Sequence, residues 1–205
     1  MVTLQKNNSG ILHQQMTERS ETHRKLDAFS QHLLDACRFV LVSPSLSANI
    51  GSAVRALTTM GIPDLVVAAP RDAAFREDAG ALALAAGAEA RLAQVGSRPS
   101  LDAALADCQL AVAVSAEGRE FGPPAAFPGP LCAEVLDMLS AGKVQRVAFV
   151  FGTERTGLGT AEMARCQRWL TIPADADYSS LNLAQAVQIV AFSLRQAVLE
   201  REAAR

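Results

Sequence analysis

Histidine is missing from the body of this chain. His13, His23 and His32 are the only three, so nothing downstream can supply the imidazole of a Ser-His-Asp or Cys-His hydrolase, or a His-ligated zinc. Cysteine is sparse and scattered (Cys37, Cys108, Cys132, Cys166), without the paired spacing of a metal site or disulfide framework. These read as buried or indifferent thiols, and no metal is expected. No apolar run reaches the about 18 residues of a membrane span. The N-terminus lacks the charged-then-apolar pattern of a secretory leader, which predicts a cytoplasmic protein. Neither the Gly-x-Gly-x-x-Gly fingerprint nor the lysine-bearing phosphate loop occurs, so a dinucleotide site or an NTPase has no support. Arginine dominates over lysine and the net charge is −2, so any grip on a nucleic acid has to come from a local basic patch.

What is present is an ordinary globular composition: 205 residues, 50% hydrophobic and 20% charged, enough for one domain with a sizeable core. Residues 1–36 read as an appendage, polar through Gly10, with a charged, weakly amphipathic helix from Thr17 to Ala36 that sets Leu26, Phe29, Leu33 and Leu34 on one side. It is either a surface helix or leader, or an arm that binds a partner or guides RNA. Residues 37–205 form the domain. Apolar runs predict strands at 38–43, 64–69, 91–95, 109–115, 146–151 and 168–172, with helices at 49–61, 77–86, 99–106, 131–141, 159–166 and 180–201. Such alternation means parallel βαβ units with helices on both faces. The Pro/Gly-rich stretch 120–130 reads as a flap over a site or a surface excursion.

The chain is organised around 147-VAFVFGTERTGL-158 and 171-TIPADADYSSLNLAQAVQIVAFSLR-195. The first is a strand apolar enough to be buried on both faces, ending abruptly in polar residues. The second leaves a short strand, turns through Pro173, and enters a long helix with Ser179 or Ser180 placed as its N-cap; Leu183, Val187, Val190, Leu194 and Val198 recur on one face. Four strands exit into polar loops, at Ser43–Gly51, Ser115–Gly122, Gly152–Gly157 and Pro173–Asn182. In open α/β sheets ligands bind beyond the carboxyl ends of strands. The residues alone therefore describe an α/β protein that binds a polar ligand in these loops.

These same segments resemble the motifs of the SpoU/TrmH branch of the SPOUT RNA methyltransferases. NIGSAVRAL at 49–57 resembles the first motif, FGTERTGL the second, and IPADADYSSLNLAQAV the third. LALAAGAEA at 82–90 and the Tyr-Ser-Ser-Leu-Asn-Leu run are most similar to the TrmJ type, and the likeness covers about Arg38 to Arg195. The resemblance implies a Rossmann-like parallel sheet with a C-terminal trefoil knot, an exception to the rarity of knots. It implies S-adenosyl-L-methionine as cofactor, contacted by Val114, Ser115, Ala116, Gly152, Ile172, Ser179, Ser180 and Leu181. It implies methyl transfer to a ribose 2′-hydroxyl of tRNA, the cytidine or uridine at position 32 of the anticodon loop in the TrmJ type, and a homodimer paired through the first-motif and final helices. Those helices carry Ile50, Val54 and Leu57, and Val187, Val190 and Leu194; some of these faces have to cover the sheet instead.

Within that resemblance Arg55 is the cation that holds a phosphate and stabilises the developing alkoxide, since a guanidinium does not give up its proton. Ser180 or the phosphate accepts the hydroxyl proton, while Asn49, Glu154 and Asn182 orient the groups. Arg155 reaches RNA or the partner subunit, and Arg119 resembles a family arginine that contacts substrate. Plainer roles exist for each: Asn49 as a cap of the first-motif helix, Ser180 and Asn182 as caps of the last, Glu154 and Arg155 as a surface ion pair, Arg119 as a solvated charge. Glu117 stands where the TrmJ type tends to carry a basic residue, and the chain stops soon after the last helix, without the helical extension many of that type have. The alternatives are a knotted 2′-O-methyltransferase for another tRNA or rRNA site, and a non-catalytic protein of the same fold that binds cofactor and RNA.

Overall fold

Five-residue and six-residue strands with no exposed position, apolar except for Arg38, make the centre of the protein. In the computed structural model, which describes residues 25–116 and 124–205, β1 (Cys37–Val42), β4 (Leu110–Val114) and β5 (Val147–Phe151) are buried along their whole length. With β2 (Asp64–Ala68), β3 (Gly96–Arg98) and β6 (Arg168–Leu170) they form one parallel sheet of order β3-β2-β1-β5-β4-β6. Alternation of side chains splits the sheet into unequal faces. Phe39, Leu41, Val112, Phe149 and Phe151 point to the thicker side, with Phe39 stacked on Phe151 at 5.6 Å between ring centroids. Val40, Val42, Ala111, Ala113, Ala148 and Val150 point to the thinner one.

The helices sort by what each face can hold. On the thick face lie α1 (Ala28–Asp35), α2 (Ser47–Met60), α3 (Ala79–Ala85), the single turn α4 (Glu89–Leu92), α6 (Pro128–Ser140) and the long α8 (Leu183–Ala203). The short α5 (Leu101–Leu105) and α7 (Thr160–Met163) cover the small Val/Ala face. Leu183, Val187, Val190, Leu194 and Val198 are all buried, as their spacing predicts. So are Ile50, Val54 and Leu57. This corrects the division of labour read from the sequence: all six apolar residues considered for pairing copies of the chain belong to the core. Leu33 and Leu34 of α1 join the same core, while Phe29 on its other side is 46% exposed.

One feature of the first-motif region depends on a missing Cβ. A side chain on Gly51 would meet the Ala81 carbonyl oxygen at 2.0 Å, so α2 and α3 approach to a distance only glycine permits. Tight contact here fixes α2 against the sheet and with it the loop that precedes it.

The strand expected at 91–95 is a correction. Glu89–Leu92 is a helical turn, and the edge strand is Gly96–Arg98. Glu-Ala-Arg-Leu has good helical propensity, whereas an exposed edge strand of three residues needs no apolar pattern: it is held by backbone pairing of Gly96, Ser97 and Arg98 with Val66, Val67 and Ala68. The loop residues 117–123, and with them Glu117, Arg119 and part of the 120–130 stretch, lie outside the described residues, as do residues 1–24.

Candidate active site

The carboxyl ends of β4, β5 and β6 sit side by side because those strands are neighbours in the sheet. The exit of β5 folds back on itself: Thr153 and Gly157 exchange backbone hydrogen bonds of 3.1 and 3.0 Å, and Gly157 takes a left-handed φ of 61°. A Cβ on Gly152 would lie 2.0 Å from the Gly157 carbonyl carbon, so glycine at 152 lets this loop lie flat on the strand end. The exit of β4 is tied to β6 by Ser115 N–H donating to Leu170 O and by the Trp169 indole N–H donating to Ser115 O, both across short distances of 3.1–3.2 Å. After β6 the chain crosses over the mouth through Ile172 and returns as Ser179–Leu181 to enter α8.

Together these loops enclose a cleft of about 920 Å³, open solvent included. Its lining contains Val114, Ser115, Ala116, Gly152, Ile172, Ser179, Ser180 and Leu181, every position carried over for the cofactor, and also Glu154 and Arg155. Thr153, Thr156 and Leu158 line it as well and were missed in the sequence; their place inside the GTERTGL segment was the available signal.

Glu154 does not pair with Arg155. Its carboxylate turns to the loop after β1 and accepts three N–H groups: Ser45 N at 2.7 Å, Leu46 N at 3.2 Å and Asn49 Nδ2 at 2.9 Å. Asn49 Oδ1 in turn accepts from Asn182 Nδ2 at 3.0 Å. The three motif segments, far apart in sequence, are thereby joined in one directional chain of hydrogen bonds that ends on a carboxylate. Burial works against the Glu154 charge, but the donors from Asn49 and Ser45 outweigh it and hold the carboxyl below its ordinary 4.5. A negative charge also suits this place, the first turn of α2. The main chain of Ser45 and Leu46 carried no sequence signal for this part.

Asn49 is not a helix cap, since α2 begins at Ser47 with Leu46 in the cap position. Asn182 is one: its Oδ1 accepts from Ala184 N and Gln185 N, and the Gln185 side chain answers to the Asn182 N–H. This corrects the expected Ser179 or Ser180 cap and has a consequence for the cleft. With the cap supplied by Asn182, the hydroxyls of Ser179 and Ser180 are exposed and have no hydrogen-bond partner among the described residues.

Arg55 is on the exposed side of α2, outside the cleft, in an adjoining groove lined by Ser52, Thr59, Leu84, Asn182, Gln185 and Gln188. Its guanidinium, like that of Arg155, makes no ion pair among the described residues. The cysteines are free; Cys37 and Cys132 are buried, and burial pushes the Cys132 thiol up to about 12 and that of partly exposed Cys108 to about 11, so neither of these two is a thiolate nucleophile at neutral pH.

The chain matches the SpoU rRNA methylase family model over residues 36–192. It is 41% identical, over 82% of its length, to the tRNA (cytidine/uridine-2′-O-)-methyltransferase TrmJ of Pectobacterium atrosepticum, of which it spans 68%. Among solved structures, a Bordetella pertussis Tohama I protein described as a probable methyltransferase superposes with a TM-score of 0.77 at 39% identity, covering 82% of this chain and 99% of that one. TrmJ from Z. mobilis ZM4 superposes with a TM-score of 0.70 at 34% identity over 78% of this chain and 68% of its own. The chain spans about two thirds of the length of the curated relatives it matches. With two motif segments lining one cleft, the first-motif segment hydrogen-bonded to both, and these likenesses covering most of its length, the chain belongs to the SpoU rRNA methylase family.

Proposed function

We propose that the protein is an S-adenosyl-L-methionine-dependent tRNA ribose 2′-O-methyltransferase of the TrmJ type, acting in the cytoplasm on a cytidine or uridine of the anticodon loop, position 32, and working as a homodimer. The observation that carries this reading is the gathering of all eight carried-over cofactor positions in one cleft, braced by the Asn182–Asn49–Glu154 chain.

The cleft suits the cofactor on its own chemistry. Val114, Leu158, Ile172 and Leu181 offer apolar walls for a purine, and Arg155, exposed at the rim, is the one cationic side chain in the lining among the described residues, so a sulfonium meets no buried positive charge. The crossing of the chain over the cleft between β6 and α8 is where we place the trefoil knot. When bound there, S-adenosyl-L-methionine supplies a methyl group on a sulfonium that departs as a neutral thioether.

The remaining work falls to side chains. Ser180 Oγ, unclaimed by the helix cap, accepts a hydrogen bond from the ribose hydroxyl and orients it toward an RNA phosphate, which takes the proton. Arg55 holds the target phosphate and stabilises the developing alkoxide, a service worth about 10²–10³ in rate at comparable sites. Arg55 does not line its own protomer's cleft, and pairing of two copies gives it a route to a substrate held in the partner's. Asn49 and Asn182 keep the two loops in register, and Arg155 contacts RNA at the rim.

Calorimetry tests the cofactor half. Wild-type protein should bind S-adenosyl-L-methionine without added metal and show no heat with NAD, and Ala116→Trp, at an exposed position of the wall, should abolish binding while the protein stays folded. Binding of the dinucleotide in place of S-adenosyl-L-methionine would overturn the assignment.

A further inference from the structure

The cations of this protein are divided by the sheet. At its amino edge two arginines are neutralised: Arg38 donates to Asp64 at 2.9 Å and pairs with Asp107 at 2.5 Å, and Arg146 pairs with Asp107 at 2.9 Å. Arg165 just after α7, Arg168 of β6 and Arg201 of α8 likewise face Asp102, Glu134 and Asp137. At the carboxyl edge the pattern reverses. Arg71, two residues beyond the turn after β2, has no hydrogen bond or ion pair among the described residues, and the Arg98 guanidinium touches only the neighbouring Ser97 carbonyl. Both are exposed.

These two arginines are joined to the cleft by a continuous set of contacts. The Glu154 carboxylate holds Ser45 and Leu46; the next residue, Ser47, meets Asp72 through its hydroxyl at 3.4 Å; and the Ala69 N–H donates to the Arg98 carbonyl at 2.8 Å. Asp72, which could have cancelled Arg71, instead accepts the Ala74 N–H at 2.9 Å. Strand ends are level here: Val42, Ala68 and Arg98 stand opposite one another in register. With strands about 4.8 Å apart, the walk from the β5 exit at Arg155 over β1 and β2 to β3 is about 14 Å.

We propose that this edge is a phosphate rail: RNA flanking the nucleotide held at the cleft runs across the exits of β1 and β2, with Arg71 and Arg98 contacting its backbone. The rail rests on the proposed RNA methyltransferase reading and adds to it a direction for the substrate. It reads no sequence, because guanidinium contacts to phosphate position a strand without distinguishing bases. It also offers a chain of net charge −2 a local grip on a polyanion: Arg71 and Arg98 have no carboxylate partner among the described residues.

The test is filter binding of bulk tRNA across a salt series, beside methyl-transfer kinetics, for wild type, Arg71→Ala/Arg98→Ala, and Lys143→Ala as a control at an exposed site on the α6–β5 turn. The double variant should raise KM for tRNA on the order of tenfold, as two exposed charge contacts would. The plot of log affinity against log salt should flatten by roughly 0.7 per lost contact. The kcat and the affinity for S-adenosyl-L-methionine should hold, and Lys143→Ala should match wild type. A double variant with wild-type KM and salt slope, in a protein that methylates tRNA, overturns the rail alone. A wild-type protein that neither binds nor methylates RNA overturns the rail together with the reading beneath it.

Discussion

Glu154 keeps a charge because three N–H groups converge on it, and this sets a pH limit on the site. A carboxyl held below its ordinary 4.5 in the folded state contributes stability that is present above the unfolded value and lost as pH falls through the lower folded one. The expected outcome is a stability and a cofactor affinity that this group leaves flat from neutral pH down to about 4.5 and erodes below. Glu154→Gln should weaken S-adenosyl-L-methionine binding about tenfold at neutral pH, the worth of a charge-assisted hydrogen bond, and lose less stability in acid than wild type does. Calorimetry and urea unfolding across pH measure both; a variant that binds like wild type would remove Glu154 from the brace. Gly51 gives a second outcome of residue scale. Gly51→Ala puts a methyl against the Ala81 carbonyl and should cost about 1–3 kcal/mol in urea unfolding, with no change expected if α3 could simply move away. At Arg55 the expectation is a loss of about 10²–10³ in turnover for Arg55→Ala with S-adenosyl-L-methionine affinity within a few-fold, because the side chain stands outside the cleft.

At the scale of elements, what could be read in the sequence followed what periodicity encodes. The four buried central strands were legible from unbroken apolar runs, and the inward face of α8 from its spacing. The edge strand at Gly96–Arg98 was not, because its residues pair through backbone alone, and the apolar residues just before it belong to a helical turn. The cap of α8 was misplaced by two to three residues because Ser179, Ser180 and Asn182 all qualify chemically; the choice of Asn182 depends on Asn49, which is 133 residues away in the chain. The cleft lining was legible as motif positions, whereas the Glu154 contacts with the Ser45 and Leu46 main chain depend on tertiary placement that no local pattern carries. Helix α1 shows the same limit: its weak amphipathicity set Phe29 on one side with Leu33 and Leu34, yet Leu34 is fully buried and Phe29 is 46% exposed. Leu34→Ala should cost about 2–5 kcal/mol, measurable by urea unfolding; a cost near zero would show that α1 is not part of the cooperative unit.

For the whole molecule, burial of Ile50, Val54, Leu57, Val187, Val190 and Leu194 in the core leaves a different surface for pairing copies. Leu84 and Phe192 are exposed, at 47% and 53%, and Leu84 lines the groove that holds Arg55 and Gln185. A homodimer formed there would bury these side chains and carry each Arg55 toward the other copy. Light scattering should give twice the 21.7 kDa of the chain, and dilution into monomer should end methyl transfer. The central claim is the activity itself, and the most direct measurement is transfer of tritiated methyl from S-adenosyl-L-methionine to bulk tRNA, followed by nuclease mapping of the modified nucleotide. Label should appear on a ribose 2′-oxygen in the anticodon loop, at position 32, and vanish with Ala116→Trp. Label on a base, or none on any RNA offered while S-adenosyl-L-methionine still binds, would contradict it.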